Sequence, residues 1–242
     1  MSIREKIIEL FEYRKLPFLV EDYRLRGSGI MEELIDLQHI IFLYDKYLEE
    51  NWVLDQEELG RRWKAVLEKL IEMGLSKEEA IFEARHIEVY SRNEQSTRSG
   101  FHLSELPIKY FYYYKSCDVK LLRRLLYRFR KTRQPLTTPN DWFVFDFVTE
   151  VNDDISDVHE DRGTFNGNRF LDRINQSGSD MAYKEYARFL IYLGSKVTES
   201  QSTGNEELDI SMRRWVRHEI KTTSVLLENE LIGLKNEVIH SN

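Results

Sequence analysis

Cysteine, proline and glycine are all scarce in this chain of 242 residues, which contains 1, 4 and 11 of them respectively. The single cysteine, Cys117, excludes a scaffold held together by internal disulfides. A chain without internal disulfides suits a reducing compartment, so we expect a cytoplasmic protein. Few prolines and glycines mean few sharp turns, and strict alternation of apolar and polar residues is also rare.

Long apolar runs and an excess of positive charge are missing as well. No window approaches the about 18 apolar residues of a membrane-spanning helix. The first ten residues carry four charged side chains where a signal peptide would have its apolar core. Lysine and arginine total 35 against 42 aspartates and glutamates, a formal net charge of −7. We therefore expect neither a transmembrane segment nor a nucleic-acid partner.

Apolar residues recur every three to four positions along most of the chain, which is the spacing of an amphipathic helix. Apolar residues make up 41% and aromatic residues 12% of the sequence, enough to bury a core. With no internal repeat and no break in composition, we predict an all-α protein with a single helical domain over residues 1–242. The predicted helices cover residues 2–13, 31–51, 56–73, 76–92, 103–116, 118–132, 138–162, 179–198 and 208–236, and the polar segments 91–100, 163–180 and 199–207 are predicted to lie outside helices.

The most informative stretch is VNDDISDVHEDRG, residues 151–163. Asn152, Ser156 and Glu160 follow one another at intervals of four, which places them within an arc of about 80° on a helix. Their side chains supply an amide, a hydroxyl and a carboxylate oxygen. All three are hard ligands of the type that Mg²⁺ accepts, so the spacing predicts a magnesium site.

Two more acids, Asp153 and Asp157, lie beside this arc and are alternative ligands. The preceding residues, 142–148, are mostly apolar, so we expect an oxygen-rich rim above an apolar wall on one helix. A solvated acidic helix face is the other interpretation of these carboxylates. The apolar segment before them favours a helix that belongs to the core.

Residues 152–160 match the NDxxSxxxE metal-binding motif of class I terpene synthases position for position. Residues 153–157, DDISD, also resemble the DDxxD motif of trans-prenyltransferases. Both families belong to the all-helical isoprenoid synthase superfamily, so the resemblance implies a helical bundle of that type. The resemblance is best over residues 138–163 and looser over 31–132. Its N-terminal part is expected to be reduced, because one predicted helix precedes the first acidic helix.

The superfamily has another acidic motif earlier in the chain, and its candidate here is residues 43–50, LYDKYLEE. Asp45 and Glu49 are four residues apart and share a helix face, although a pair of surface acids is the alternative interpretation. The resemblance implies that both bind Mg²⁺, together with the three residues of the later motif. It also implies a basic contact to the diphosphate, for which Arg98 and Lys109 are the candidates.

The resemblance implies a Mg²⁺-dependent class I terpene synthase, which ionises a prenyl diphosphate and shields the carbocation in an apolar pocket. One alternative is a prenyltransferase, in which Asp153, Asp154 and Asp157 would matter more. Another is a non-catalytic helical binding protein on a degenerate scaffold, favoured by the incomplete first motif. A helical protein of unrelated fold with a chance motif is the third. A homodimer is expected because members of the superfamily are often dimers.

Overall fold

A computed structural model describes residues 2–164, 167–199 and 206–240, with side chains described outside 198–199, 206–209 and 234–240. All regular structure in these residues is helical, which confirms the predicted all-α class. None of the described helices combines the length and the apolar content needed to cross a membrane. The α-helices are α1 Ile3–Tyr13, α2 Leu16–Asp22, α3 Ile30–Glu50, α4 Gln56–Glu72, α5 Lys77–Thr97, α6 Ile108–Lys115, α7 Cys117–Phe129, α8 Phe143–Ser156, α9 Arg169–Ser177, α10 Ser179–Glu199 and α11 Glu206–His240, with short 3-10 helices at Leu103–Glu105 and Pro139–Trp142.

The contacts between Cα atoms divide the chain into two compact units. The first unit contains residues 1–99 and 114–139, and the second contains residues 100–113 and 140–242. A single domain over residues 1–242 stays a prediction.

Helix α3 is the central helix of the first unit, where it contacts α1, α4, α5 and α7. Its residues Leu34, Leu37, Ile41 and Leu48 recur at three, four and seven positions and are all buried. This spacing places them on one side of the helix, so burial of an apolar stripe drives the packing of α3. The same helix carries Asp45 and Glu49.

Helix α8 has the corresponding place in the second unit, where it contacts α9, α10 and α11. The residues Phe145, Val148 and Ile155 of α8 are buried. Trp142, just before the helix, is also buried, and its ring stacks on Trp215 of α11 with 6.0 Å between centroids. The apolar segment before the acidic stretch therefore belongs to the core of this unit, as expected.

Two helices of the structure were not predicted from the sequence. Helix α2 follows Lys15, which has a left-handed backbone with φ of 60°, and Pro17 lies in its first turn. Proline is tolerated there because the first N–H groups of a helix have no intrahelical partner. Helix α9 lies inside the predicted loop 163–180. Asn168 caps its N-terminus, since its side chain accepts a hydrogen bond from the Leu171 N–H.

Helix α5 is longer than predicted, because it continues through the polar segment 91–100 as far as Thr97. The segment lacks an apolar stripe, but Ser91 and Glu94 are buried beside the apolar residues Ile87 and Tyr90 of the same helix. Polar side chains thus occupy core positions of α5, so the apolar periodicity stops before the helix does.

Candidate functional site

Four carboxylates from three helices interact in the first unit. Asp45 and Glu49 come from α3, Glu94 from α5 and Asp118 from the first turn of α7; we refer to these four residues as the Asp45 cluster. Desolvation raises the pKa of Asp45 well above its ordinary value, and the negative charges of Glu94, Asp118 and Glu49 raise it further. Desolvation is the larger cause, and the like charges add to it because they repel more strongly where protein replaces water. The predicted pair on α3 is thus part of a larger acidic group.

Polar side chains around the cluster orient some of its members. The Gln38 amide nitrogen donates a hydrogen bond to Asp118 Oδ2 at 2.9 Å, and Gln38 itself is buried. Its carbonyl oxygen has no hydrogen-bond partner among the described residues. The Tyr44 hydroxyl lies 2.9 Å from Ser91 Oγ, and burial raises the pKa of Tyr44 to about 12. These contacts position α3, α5 and α7 around the carboxylates.

Glu94 and Asp118 were missed in the sequence because neither belongs to the motif-like segment on α3. A signal for Glu94 exists nevertheless. It continues the stripe of Ala84, Ile87 and Ser91 along α5, and all four residues are buried. A glutamate at a core position of an apolar stripe is unusual, since glutamate is rarely buried without a partner.

Arg98, a candidate diphosphate contact, lies at the C-terminal end of α5 and is bonded to the end of α3. Its guanidinium donates to the carbonyl oxygens of Leu48 and Asn51, the latter at 2.9 Å from Nη2, and to that of Glu94. Burial lowers the pKa of Arg98. A cation at this position satisfies carbonyl groups that have no partner within the helix. The structure therefore gives Arg98 a positioning role between α3 and α5.

The later motif does not lie on one continuous helix, which corrects the predicted helix 138–162. Helix α8 ends at Ser156, and residues 157–160 form turns. The Asp154 carbonyl accepts a hydrogen bond from the Asn168 side-chain amide at 2.7 Å, in place of a bond that would continue the helix. Asn152 and Ser156 are therefore one turn apart on α8, whereas Glu160 lies beyond its end and does not share their arc.

In the hydrogen bonds that Asn152 and Ser156 form through their side chains, both side chains are donors. The Asn152 amide nitrogen donates to Thr223 Oγ1 on α11 at 2.9 Å. The Ser156 hydroxyl donates within α8, 2.9 Å from the Asn152 carbonyl oxygen. Among the described residues, neither Asn152 Oδ1 nor the Glu160 carboxylate has a hydrogen-bond or ion-pair partner. The oxygens that could bind a cation are therefore not occupied by these protein contacts.

The aspartates beside the motif differ in their surroundings. Asp157 is exposed and Asp153 is half-buried, whereas Asp154 is buried. Asp154 Oδ2 accepts hydrogen bonds from the Tyr112 hydroxyl at 2.7 Å and from the Arg169 backbone N–H at 3.1 Å. Asp154 is thus a structural acceptor within the second unit, and its carboxylate already has two donors.

Lys109, the other candidate diphosphate contact, is an exposed residue of α6. Its ammonium nitrogen lies 3.5 Å from the centroid of the Tyr192 ring of α10. A cation at this distance over an aromatic ring is attracted by the negative face of the ring. Both residues line a groove of the second unit, and neither belongs to the Asn152 motif.

The chemistry of both acidic sites fits Mg²⁺ better than a softer metal, because every candidate ligand atom is an oxygen. The described part of the chain contains no group of three or more His, Cys, Asp or Glu side chains positioned to hold one metal ion. The Asp45 carboxylates thus interact electrostatically without converging on one point. Asn152 and Ser156 carry neutral oxygens, one turn apart on α8.

Comparisons with known proteins identify no family for the chain. A scan against models of protein families finds no match, and searches of curated proteins and of solved structures find none either. The resemblance to class I terpene synthases therefore depends on the motif residues themselves, in particular on Asn152, Ser156 and Glu160.

Proposed function

We propose that this protein is a Mg²⁺-dependent enzyme similar to class I terpene synthases, which ionises a prenyl diphosphate and controls the carbocation in an apolar pocket. The observation that carries the proposal is the Asp45 cluster. Four interacting carboxylates, of which Glu94 is buried and the other three are half-buried, are unfavourable without a cation, and the raised pKa of Asp45 reflects this cost. A divalent cation would neutralise this charge.

The proposal assigns a role to each group of residues. Asp45 and Glu49 bind metal in the first unit, and Glu94 and Asp118 strengthen the negative potential around them. In the second unit the ligands are the oxygens of Asn152, Ser156 and Glu160, with Asp153 and Asp157 as alternates. Bound Mg²⁺ would supply charge neutralisation for the departing diphosphate. Thr223 accepts the hydrogen bond of the Asn152 amide nitrogen, so Asn152 Oδ1 is the atom that this role assigns to the metal.

The surroundings of Asp154 favour a terpene synthase over a prenyltransferase. The DDxxD interpretation needs the carboxylates of Asp153, Asp154 and Asp157 as ligands. Asp154 is buried and accepts from Tyr112 and from the Arg169 backbone. The substitutions Ser156→Ala and Asp157→Ala separate the two branches, because the first should abolish a synthase and the second a prenyltransferase.

A thermal melt with inorganic diphosphate, with and without Mg²⁺, tests the proposal first. A ligand that binds only the folded state stabilises it by about 2.7 kcal/mol at a hundredfold excess over its Kd. We expect stabilisation only when both components are present. We expect the variants Asn152→Ala and Glu160→Ala to lose this stabilisation. The control variant Glu228→Ala, which changes an exposed residue of α11, should retain it.

Activity is the second readout. Release of diphosphate from prenyl diphosphates of increasing chain length should require Mg²⁺ and fall by about a hundredfold or more in Asn152→Ala. If saturating Mg²⁺ and diphosphate leave the melting temperature unchanged, the enzyme proposal fails. The displacement of Glu160 from α8 would then favour the non-catalytic helical binding protein.

A further inference from the structure

A groove of about 650 Å³ lies in the second unit, along α6, α9 and α10. This volume is in the range of small-molecule sites, about 300–1,000 Å³. Its lining contains four basic residues, Lys109, Arg173, Lys184 and Arg188, and one carboxylate, Glu185. None of them belongs to the Asn152 motif. The concentration of positive charge contrasts with the net charge of −7 of the whole chain.

The carboxylate in the groove is neutralised by neighbouring arginines. Glu185 Oε1 lies 2.7 Å from Nη2 of Arg169, which is buried, and Glu185 Oε2 lies 2.7 Å from Nε of Arg173. Arg169 is fixed in turn by bonds to the carbonyl oxygens of Ser104 and Leu106. Glu185 is thus paired with Arg169 and Arg173, and it does not neutralise the other basic residues that line the groove.

The charges of the other basic residues of the groove are not neutralised by described carboxylates. Lys184 and Arg188 are exposed and form no hydrogen bond or ion pair with any described residue. They are four positions apart on α10, so their side chains project from the same face of the helix. Lys109 is exposed as well and lies over the Tyr192 ring on the same groove.

The same groove has an apolar part. Ile108, Met181, Phe189 and Tyr192 contribute to its lining. Met181 is 47% exposed, although an exposed thioether side chain gains nothing from contact with water. Contact with an alkyl chain would bury this surface, at about 0.8 kcal/mol for each methylene group.

We propose that this groove binds an organic phosphate, with the phosphate held by Lys109, Lys184 and Arg188 and an alkyl chain placed against Met181 and Tyr192. Lysine and arginine neutralise the phosphate themselves, so binding does not require a metal ion. The site is separate from the proposed metal-binding residues, and the inference does not depend on the proposed function. A free organophosphate and the headgroup of an anionic lipid share this chemistry.

Calorimetric titration of octyl phosphate into the full chain, with EDTA present, tests the site. We expect octyl phosphate to bind and methyl phosphate to bind at least tenfold more weakly, because it lacks the chain. In the double variant Lys184→Gln/Arg188→Gln the Kd should rise by about tenfold or more, since each lost charged hydrogen bond weakens binding substantially. Met181→Gln should reduce the difference between the two ligands.

Controls of two kinds are available. Arg217→Gln/Lys221→Gln removes the same charge from exposed residues of α11 and should leave the Kd unchanged. Asn152→Ala should also leave it unchanged, which separates this site from the proposed magnesium site. Absence of octyl phosphate binding at millimolar concentration, or equal weakening in both double variants, would overturn the proposal.

Flotation with vesicles distinguishes the two sources of the ligand. Binding to phosphatidic acid vesicles but not to phosphatidylcholine vesicles, with loss in Lys184→Gln/Arg188→Gln, supports a lipid headgroup as the phosphate. Calorimetric binding of octyl phosphate without vesicle binding supports a free organophosphate. Both outcomes assign the groove to a phosphate, whereas vesicle binding that survives in the double variant contradicts it.

Discussion

The carboxylate of Asp45 is unfavourable for folding when it is ionised. Desolvation and the charges of Glu94, Asp118 and Glu49 raise its pKa, so the folded state holds a proton on Asp45 more tightly than the unfolded state does. A raised pKa in the folded state contributes stability below the unfolded pKa, and this contribution is lost as the pH rises through the folded pKa. As the pH rises above the unfolded pKa, the Asp45 cluster therefore weakens the first unit unless a cation is bound.

Replacing this carboxylate tests that interpretation directly. In the absence of Mg²⁺, Asp45→Asn should raise the free energy of unfolding at pH 8 by about 1 kcal/mol or more. The reason is that asparagine has nearly the size of aspartate but lacks the charge that the other carboxylates repel. We also expect Mg²⁺ to stabilise the wild type and to stabilise this variant much less. Urea unfolding with EDTA and with Mg²⁺ measures both effects.

An exposed glutamate on the same helix provides the matched control. Glu50→Gln changes an exposed residue whose carboxylate is paired with Lys46 at 3.6 Å, so both effects should be small. An Asp45→Asn variant that is less stable than the wild type in EDTA would contradict the interpretation, since the carboxylate would then be a favourable partner.

At the scale of elements, single side chains determine where helices end. Arg98 joins the end of α5 to the end of α3 through backbone carbonyls. Asn168 has the same function between α8 and α9. Its amide nitrogen donates to the Asp154 carbonyl at 2.7 Å and to Asp161 Oδ2 at 2.8 Å. Its carbonyl oxygen accepts from the Leu171 N–H at 2.9 Å and caps α9.

Removal of the Asn168 side chain should therefore be costly. We expect Asn168→Ala to lower the free energy of unfolding by about 3 kcal/mol, because it removes a helix cap and two hydrogen bonds to the buried residues Asp154 and Asp161. Asn175→Ala removes the same amide from an exposed position of α9 and should change stability by less than about 0.5 kcal/mol. Chemical denaturation of both variants gives the comparison, and equal stabilities would show that Asn168 does not determine the end of α8.

At the scale of the whole molecule, each unit buries tyrosines in their neutral form. Burial raises the pKa of Tyr23 and brings that of Tyr44 to about 12 in the first unit. In the second unit burial, followed by the charge of Asp154, raises the pKa of Tyr112 and of Tyr186. The hydroxyls of Tyr112 and Tyr186 lie 2.8 Å apart, so ionisation of either would disturb the same buried network.

The molecule should consequently be sensitive to alkaline conditions. Raised tyrosine pKa values contribute stability that is complete below the unfolded pKa of about 10 and is lost as the pH rises through the folded pKa. We expect the free energy of unfolding to fall between pH 10 and 12 by at most about 1.4 kcal/mol per pH unit for each buried tyrosine. Urea unfolding across this range measures the slope, and Tyr44→Phe should reduce it. A constant free energy up to pH 12 would mean that the hydroxyls reach solvent.

Local sequence patterns accounted for most of the helices, because a helix is built from bonds between residues four positions apart and its buried face repeats at the same spacing. The all-α class and the segments α3, α4 and α10 follow from this periodicity within a residue or two at each end. The same spacing of four residues relates Asp45 to Glu49 and Asn152 to Ser156, so both pairs could be predicted from the local sequence.

Tertiary structure alone decided the rest, because the deciding contacts join residues far apart in the chain. Asn168 ends α8 from 14 residues away and so separates Glu160 from Asn152 and Ser156. Gln38 orients Asp118 from 80 residues away, within the first unit. Glu94 and Asp118 join Asp45 only because α5 and α7 pack on α3. No periodic pattern records such contacts, since they depend on how helices pack and on which side chain satisfies each buried polar group.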